Sequence, residues 1–325
     1  MIVTVTPNPS LDRTFDVPSL AVGEVNRASG THVHPGGKGI NVSRALSRHG
    51  VATRAVLPLG GADGIELSVL LRALDVEVHA VALGGSTRSN VAVVDASGVT
   101  TKVNAAGPRL AADEVSALVA AVELELDAVR DDPSSWLVLA GSVPEGAGED
   151  LYPRLVAAAR ARGVAVAVDA SGDDLAGTVA AGGTDLLKPN LEELWHLLGH
   201  TPTTVGGVAD GARSVLGQGH RRVLVSLGPD GALLVTPDGT WWAGGPPLVP
   251  RSTVGAGDCT LAGFLSADGA PAERLRTAVA WGRAAVSLPG SAAPGPDDLD
   301  LAAVRVVPDP PADALPRDLA PVATG

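Results

Sequence analysis

Apolar residues recur along the chain with two periods, one helical and one extended, that follow each other in turn. After Pro35-Gly36-Gly37-Lys38-Gly39, residues Val42, Ala45, Leu46 and His49 return at helical spacing until Gly50 ends the element. Val51 to Leu59 then predicts a strand. Over 113–130, Val115, Leu118, Val119 and Val122 share one helical face, and Trp136-Leu137-Val138-Leu139-Ala140 follows as an unbroken apolar run. The alternation continues with a helix over 149–162 before Val164 to Val168, and a helix over 206–219 before Val223 to Val225. Unbroken apolar strands separated by amphipathic helices imply a mostly parallel sheet covered on both faces.

Two regions depart from that pattern. Residues 11–34 and 86–106 hold short alternating segments, such as Ser89-Asn90-Val91-Ala92-Val93-Val94, between Gly and Asp turn signals. They fit either a small antiparallel sheet standing off the main domain or ordinary edge strands. From Val304 to Gly325 five prolines interrupt any helical period, so this end, and 311–325 in particular, reads as a surface tail behind a domain spanning 1–310.

Charge narrows the function. The 325 residues carry 24 Lys+Arg against 36 Asp+Glu, a net charge of −12, so the bulk field repels nucleic acid and anionic membranes. An anionic ligand therefore needs cations gathered locally. The single cysteine, Cys259, excludes an intrachain disulfide and a multi-cysteine zinc site, and a reducing cytoplasm is the expected location. Met1 to Thr6 alternates like a strand rather than a signal peptide, and no run approaches the ~18 apolar residues of a membrane span.

Four segments carry candidate chemistry. Thr253-Val254-Gly255-Ala256-Gly257-Asp258 precedes a helical face in Cys259 to Leu265. Small residues at a helix start let backbone N–H groups approach an anion, and the helix dipole adds to the attraction. Asp258 beside such a cradle can take a proton from an attacking hydroxyl, or it can be a simple helix cap. His34-Pro35-Gly36-Gly37-Lys38-Gly39-Ile40-Asn41 lacks both the P-loop and the dinucleotide spacing. Gly36 and Gly37 let a ligand lie on bare backbone, and Asn41 can donate to and accept from hydroxyls. Leu187-Lys188-Pro189-Asn190-Leu191-Glu192-Glu193 opens a helix at Asn190. Asn190 and Glu193, three apart, can organise Mg2+ and water near phosphates, or form a capping box. Val225-Ser226-Leu227-Gly228-Pro229-Asp230-Gly231 ends a strand. Ser226 and Gly228 are candidate phosphate contacts there, or parts of a hairpin turn.

In this order, over about residues 1 to 300, the four segments resemble the ribokinase-like, or phosphofructokinase B (PfkB), family of sugar kinases. The resemblance implies a three-layer α/β/α sandwich with a mostly parallel central sheet and a small β-sheet lid, drawn from 11–34 and 86–106. It implies Asp258 as catalytic base and Gly255, Ala256 and Gly257 as the anion hole. ATP and Mg2+ are implied as well. Lys188, Asn190, Glu193, Ser226, Gly228, Gly231, Thr253 and Arg283 would face the nucleotide, with Asn190 and Glu193 organising the metal. Arg283, with Ala280 and Ala284, also has an ordinary helix-packing reading.

Asp12, in Thr6-Pro7-Asn8-Pro9-Ser10-Leu11-Asp12, matches the family position that binds sugar hydroxyls, beside Gly36, Gly37, Lys38 and Asn41. Thr87-Arg88-Ser89-Asn90 offers a planar cation suited to a phosphorylated sugar. These runs are most similar to the branch containing the 1-phosphofructokinases and tagatose-6-phosphate kinases. The fructose-6-phosphate kinases usually carry Lys where Glu24 stands. Arg27, Lys38 and Lys102 are further candidate cations, or solvated surface charges. The implied reaction is phosphorylation of fructose 1-phosphate to fructose 1,6-bisphosphate, with tagatose 6-phosphate and fructose 6-phosphate as alternative acceptors. A non-catalytic sugar-phosphate or nucleotide sensor is an alternative of another class. A nicotinamide oxidoreductase is disfavoured by the missing Gly-x-Gly-x-x-Gly. No nucleic acid or membrane partner is expected, and an apolar lid face would favour a homodimer.

Overall fold

The computed structural model describes residues 1–320. Its strands are β1 (Ile2–Val5), β2 (Ser10–Val17), β3 (Gly30–Gly36), β4 (Thr53–Leu59), β5 (Glu77–Ala82), β6 (Arg88–Asp95) and β7 (Thr100–Val103). They continue with β8 (Trp136–Ala140), β9 (Ala165–Asp169), β10 (Leu186–Leu187), β11 (Val223–Ser226), β12 (Ala232–Thr236), β13 (Gly239–Gly244) and β14 (Arg305–Pro308). The helices are α1 (Lys38–Arg48), α2 (Gly61–Ala73), α3 (Ala112–Val129), α4 (Leu151–Arg160) and α5 (Gly172–Ala181). Four more follow: α6 (Leu191–Leu198), α7 (Val205–Leu216), α8 (Ala256–Ser266) and α9 (Pro271–Val286).

The apolar runs are unbroken because consecutive residues of each central strand feed opposite cores. In β8, Leu137 and Leu139 join the core under α3, α4 and α7, while Trp136, Val138 and Ala140 join the one under α1, α8 and α9. The sheet between these layers runs β14-β13-β12-β11-β10-β9-β8-β1-β4-β5. From β11 to β5 every pairing is parallel. The chain thus has the expected α/β/α layering. Leu118, Leu126, Leu137 and Phe264 are fully buried, each worth about 1.5–3 kcal/mol in transfer from water.

The segments expected between 11–34 and 86–106 form a separate sheet, β3-β2-β6-β7. It is mixed rather than wholly antiparallel. β2 and β6 pair in parallel, Asp12 opposite Asn90, because each leaves the large sheet in the same sense, after the parallel strands β1 and β5. Leu11 of β2 packs with Ile40, Leu57, Leu67 and Leu71, which roots the small sheet on α1, β4 and α2.

The strand ending at Ser226 is parallel to β10 and is followed by β12, β13 and β14 in antiparallel array, so the hairpin-turn alternative for Gly228 to Gly231 is present. One expectation needs correction. The expected tail from Val304 is structured: Val306 and Val307 pair with Ala243 and Trp242 in an edge strand, where Pro308 needs no N–H. Beyond it, the N–H groups of Val205 and Gly206 donate to Ala314 O and Ala312 O, fastening this segment to α7. The expectation for 321–325 lies outside the described residues. No helix of the described residues is long and apolar enough to cross a membrane.

Candidate active site

The carboxyl ends of three neighbouring parallel strands deliver polar groups to one place. β9 ends in Asp169, β10 leads into Lys188 and β11 ends in Ser226. Their apolar interiors hold these ends rigidly, since Val166, Val168, Leu187 and Val225 are fully buried. Opposite them stand the amino ends of α1 and α8. α8 is entered through Gly255, whose φ of 78° is the left-handed conformation that suits glycine. Its turn leaves the N–H groups of Gly257 and Asp258 without an acceptor among the described residues, and the first full helical bond runs from Cys259 N–H to Gly255 O at 2.9 Å. Such unspent donors form an anion-binding end.

Asp258 sits in that first turn, 7% exposed. Burial pushes its carboxyl up to about 6, and the negative charge of Asp169 adds to the rise. A hydrogen bond from Asn41 Nδ2 to Asp258 Oδ2, 2.8 Å long, pulls the other way, as do the charges of Lys188 and Lys38. The result is a carboxylate ionised at neutral pH but basic enough to accept a proton. The neighbouring Cys259 is inert, because burial pushes its thiol up to about 12.

Asp169 is fully buried between two ammonium groups. Lys38 Nζ donates to Oδ1 at 2.7 Å, and Lys188 Nζ lies 2.8 Å from Oδ2 in a charge contact without a directed hydrogen bond. Burial opposes its ionisation, yet the two cations hold the carboxyl below its ordinary value. Burial likewise opposes the charge on Lys38, and Asp169 overcomes it to raise that ammonium above its usual range. A Cβ on Gly257 would lie 3.3 Å from Lys188 Nζ, so this cation stands directly beneath the α8 turn.

A second cluster forms on the small sheet. Asp12 Oδ1 accepts from Ser10 Oγ at 2.7 Å and from Asn90 Nδ2 at 2.9 Å. Gly36, opposite Ser10 in the β2–β3 ladder, has its α-carbon face against the Asp12 carboxylate. Arg88 is half-buried. It donates through Nη1 to Ala105 O at 2.7 Å, while its buried Nε has no partner. Burial lowers its pKa, so an anion placed there would relieve an unspent charge.

The pfkB family carbohydrate kinase model matches residues 6–298. The chain belongs to that family. It is therefore a sugar kinase, moving a phosphoryl group from ATP to an alcohol, on a ribokinase-like fold. It is 35% identical over 266 residues to the 1-phosphofructokinase of Bacillus subtilis, covering 82% of this chain and 85% of the relative. It is also 35% identical over 302 residues to the ATP-dependent 6-phosphofructokinase isozyme 2 of Escherichia coli, covering 91% and 96%. The crystal structure of Escherichia coli phosphofructokinase-2 in complex with potassium superposes with a TM-score of 0.84 at 33% identity, over 91% of this chain and 96% of that one.

Within this pfkB kinase, Lys38 and Lys188 share Asp169, Glu193 faces Lys38, Asn41 bonds Asp258 in the α8 turn above Lys188, and Asp12, Gly36 and Asn90 meet in the second cluster. Asn190 caps α6: its Oδ1 accepts from Glu193 N–H and Glu193 Oε2 accepts from Asn190 N–H, both at 2.8 Å. The capping-box reading is thus present in full. It leaves Glu193 Oε1 facing Lys38 Nζ at 3.8 Å. Other expected residues stand outside the Asp258 contacts. Thr253 is exposed ahead of α8, Gly228 and Gly231 bracket the turn after β11, and Arg283 donates to Pro246 O at 2.7 Å. Arg27 and Lys102 are exposed and form no ion pair among the described residues.

Sequence reasoning missed two members. Asp169 was legible as a lone acid ending the apolar run Val166-Ala167-Val168. Arg44 was legible as a charge on the apolar face of α1, between Val42 and Ala45.

Proposed function

We propose that this kinase transfers the γ-phosphoryl group of ATP to fructose 1-phosphate, giving fructose 1,6-bisphosphate, with Asp258 as general base. The observation that carries the reading is the placement of an ionisable, buried carboxylate one turn into an anion-binding helix start. A hydroxyl held at Asp258 would lose its proton as the phosphoryl group arrives at the N–H groups of Gly257 and Asp258. Gly255 and Ala256 shape that turn, and Lys188 beneath it neutralises charge developing on the phosphoryl oxygens. Asp12 and Asn90 take sugar hydroxyls against the bare backbone of Gly36 and Gly37, with Asn41 alongside. Arg88 takes the sugar's phosphate.

Ser226, Gly228, Gly231, Thr253 and Arg283 are assigned to the nucleotide, with Lys188, Asn190 and Glu193 at its phosphates. Mg2+ fits this set. Glu193 Oε1 is the carboxylate oxygen left over from the capping box, and one protein carboxylate with phosphate oxygens and water is a usual magnesium shell. Bound there, the ion would offset phosphate charge; Asn190 would keep Glu193 in place. Val103 on β7 and Val99 in the turn before it, 66% and 62% exposed, support a homodimer formed through the small sheet.

The similarity to the Escherichia coli 6-phosphofructokinase isozyme favours fructose 6-phosphate as a second reading. ADP formation measured with fructose 1-phosphate, fructose 6-phosphate and tagatose 6-phosphate tests the assignment. The highest kcat/KM is expected for fructose 1-phosphate, and a higher value on either 6-phosphate overturns it. Binding of these sugars without turnover would indicate a sensor.

A further inference from the structure

Arg44 is 8% exposed, the most buried arginine of the described residues, and it has no carboxylate within ion-pair distance among them. Burying a guanidinium in this way costs several kcal/mol unless it is used. Burial lowers its pKa, and the nearby Asp12 carboxylate offsets part of that. Its one side-chain hydrogen bond among the described residues runs from Nη1 to Asn41 Oδ1, 3.2 Å away and one turn back on α1. Asn41 in turn donates from Nδ2 to Asp258 Oδ2.

An asparagine amide has nearly the same shape either way round, so its partners decide which atom points where. Arginine can only donate. A guanidinium on one side of Asn41 therefore requires Oδ1 on that side and turns Nδ2 towards Asp258. We propose that Arg44 is a positioning residue that locks the Asn41 amide with its N–H side on Asp258, keeping the base ionised and aimed. This rests on the role given to Asp258 above.

The other groups facing Asp258 do not supply that orientation. Lys38 from α1 and Lys188 after β10 act through charge, Asp169 at the end of β9 opposes ionisation, and Cys259 on α8 stays protonated. α9 packs Trp281 and Gly282 against α8 at Gly263 and Thr260, and neither residue titrates. His34, also near Arg44, is held below its ordinary value by burial and then by the Arg44 charge. Without Arg44 the amide is free to present Oδ1, which repels a carboxylate and accepts from a protonated one.

The test combines carboxyl NMR titration of Asp258, its signal assigned by its loss in Asp258→Asn, with the pH profile of kcat. In Arg44→Met the Asp258 midpoint and the acid limb of kcat are expected to move up together by about one pH unit. Arg44→Lys, which restores a donor, should return at least half of that shift. In an Asn41→Ala background Arg44→Met should produce no further shift, and this arm stands even where the single variant folds poorly. An unmoved midpoint in folded Arg44→Met, or a full shift in the Asn41→Ala background, overturns the proposal. A midpoint that moves while the kcat limb stays supports Arg44 as positioning residue and instead removes Asp258 as the base.

Discussion

Gly36→Ala tests the sugar cluster without removing a polar atom. A Cβ built on Gly36 would lie 2.5 Å from Asp12 Cγ and 2.6 Å from Oδ1, where ordinary contact begins at 3.4 Å. The overlap is close to an ångström, too large for local adjustment in a buried strand pair. Asp12 can yield only by swinging away from Ser10 Oγ and Asn90 Nδ2, its partners at 2.7 and 2.9 Å. Hydrogen bonds to a charged group are each worth about 1.5 kcal/mol or more, so the displaced carboxylate loses roughly 3 kcal/mol of positioning. That corresponds to a fall of about 10²-fold in kcat/KM for the sugar phosphate, with KM for ATP nearly unchanged. Steady-state kinetics on Gly36→Ala, Asp12→Ala and the double variant measure it. Because the methyl acts only through Asp12, the double variant should be no worse than Asp12→Ala alone. Either a single variant within about threefold of wild type or fully additive losses would refute the reasoning.

Asp258→Asn should lower kcat by about 10²–10⁴-fold while ATP binding persists. The same variant should raise Tm at neutral pH. The folded-state pKa of Asp258, about 6, lies above its ordinary 3.8, so this group's contribution to stability is full below the ordinary value and declines as pH rises through about 6. Removing the charge recovers up to about 3 kcal/mol above that window and little below pH ~4, which calorimetry across pH would show. Lys188→Met should destabilise the fold by about 3–5 kcal/mol by stripping buried Asp169 of one cation, and Asp169→Asn added to it should restore much of the loss in denaturant titrations. Glu193→Gln keeps a capping-box acceptor, so Tm should hold while the Mg2+ concentration for half-maximal rate rises. A fall in Tm without a change in Mg2+ requirement would leave Glu193 a cap alone.

The parts of the molecule legible in the sequence are those where local chemistry and long-range packing agree. α1 and α8 announce themselves by glycines at their starts, and Asn190 with Glu193 marks the start of α6. Parallel strands such as β8 are legible because both faces are apolar. α2 was not: its glycines at positions 60, 61 and 64 weaken the helical pattern, and it is held by Leu67 and Leu71 against the root of the small sheet. The edge strand β14 was hidden because its pairing depends on a partner far along the chain, Val306 with Ala243. Asp169 escaped for a related reason. Its significance lies in Lys38 and Lys188, neither adjacent to it in sequence, and a lone acid after a strand carries no local signal of two buried cations.

The two sheets described above also act as the jaws of a gauge. On the proposed assignment the small sheet, through Arg88, grips a phosphate, and the large sheet, through Asp258 on α8, grips a primary hydroxyl. What the frame measures is the span between those two groups across a sugar ring. Fructose 1-phosphate and fructose 6-phosphate offer nearly the same span read from opposite ends, which accounts for one architecture serving both kinds of relative. Discrimination between them then falls to the ring hydroxyls at Asp12 and Asn90, whereas a sugar phosphate one carbon shorter fails at the jaws themselves, whichever end carries the phosphate.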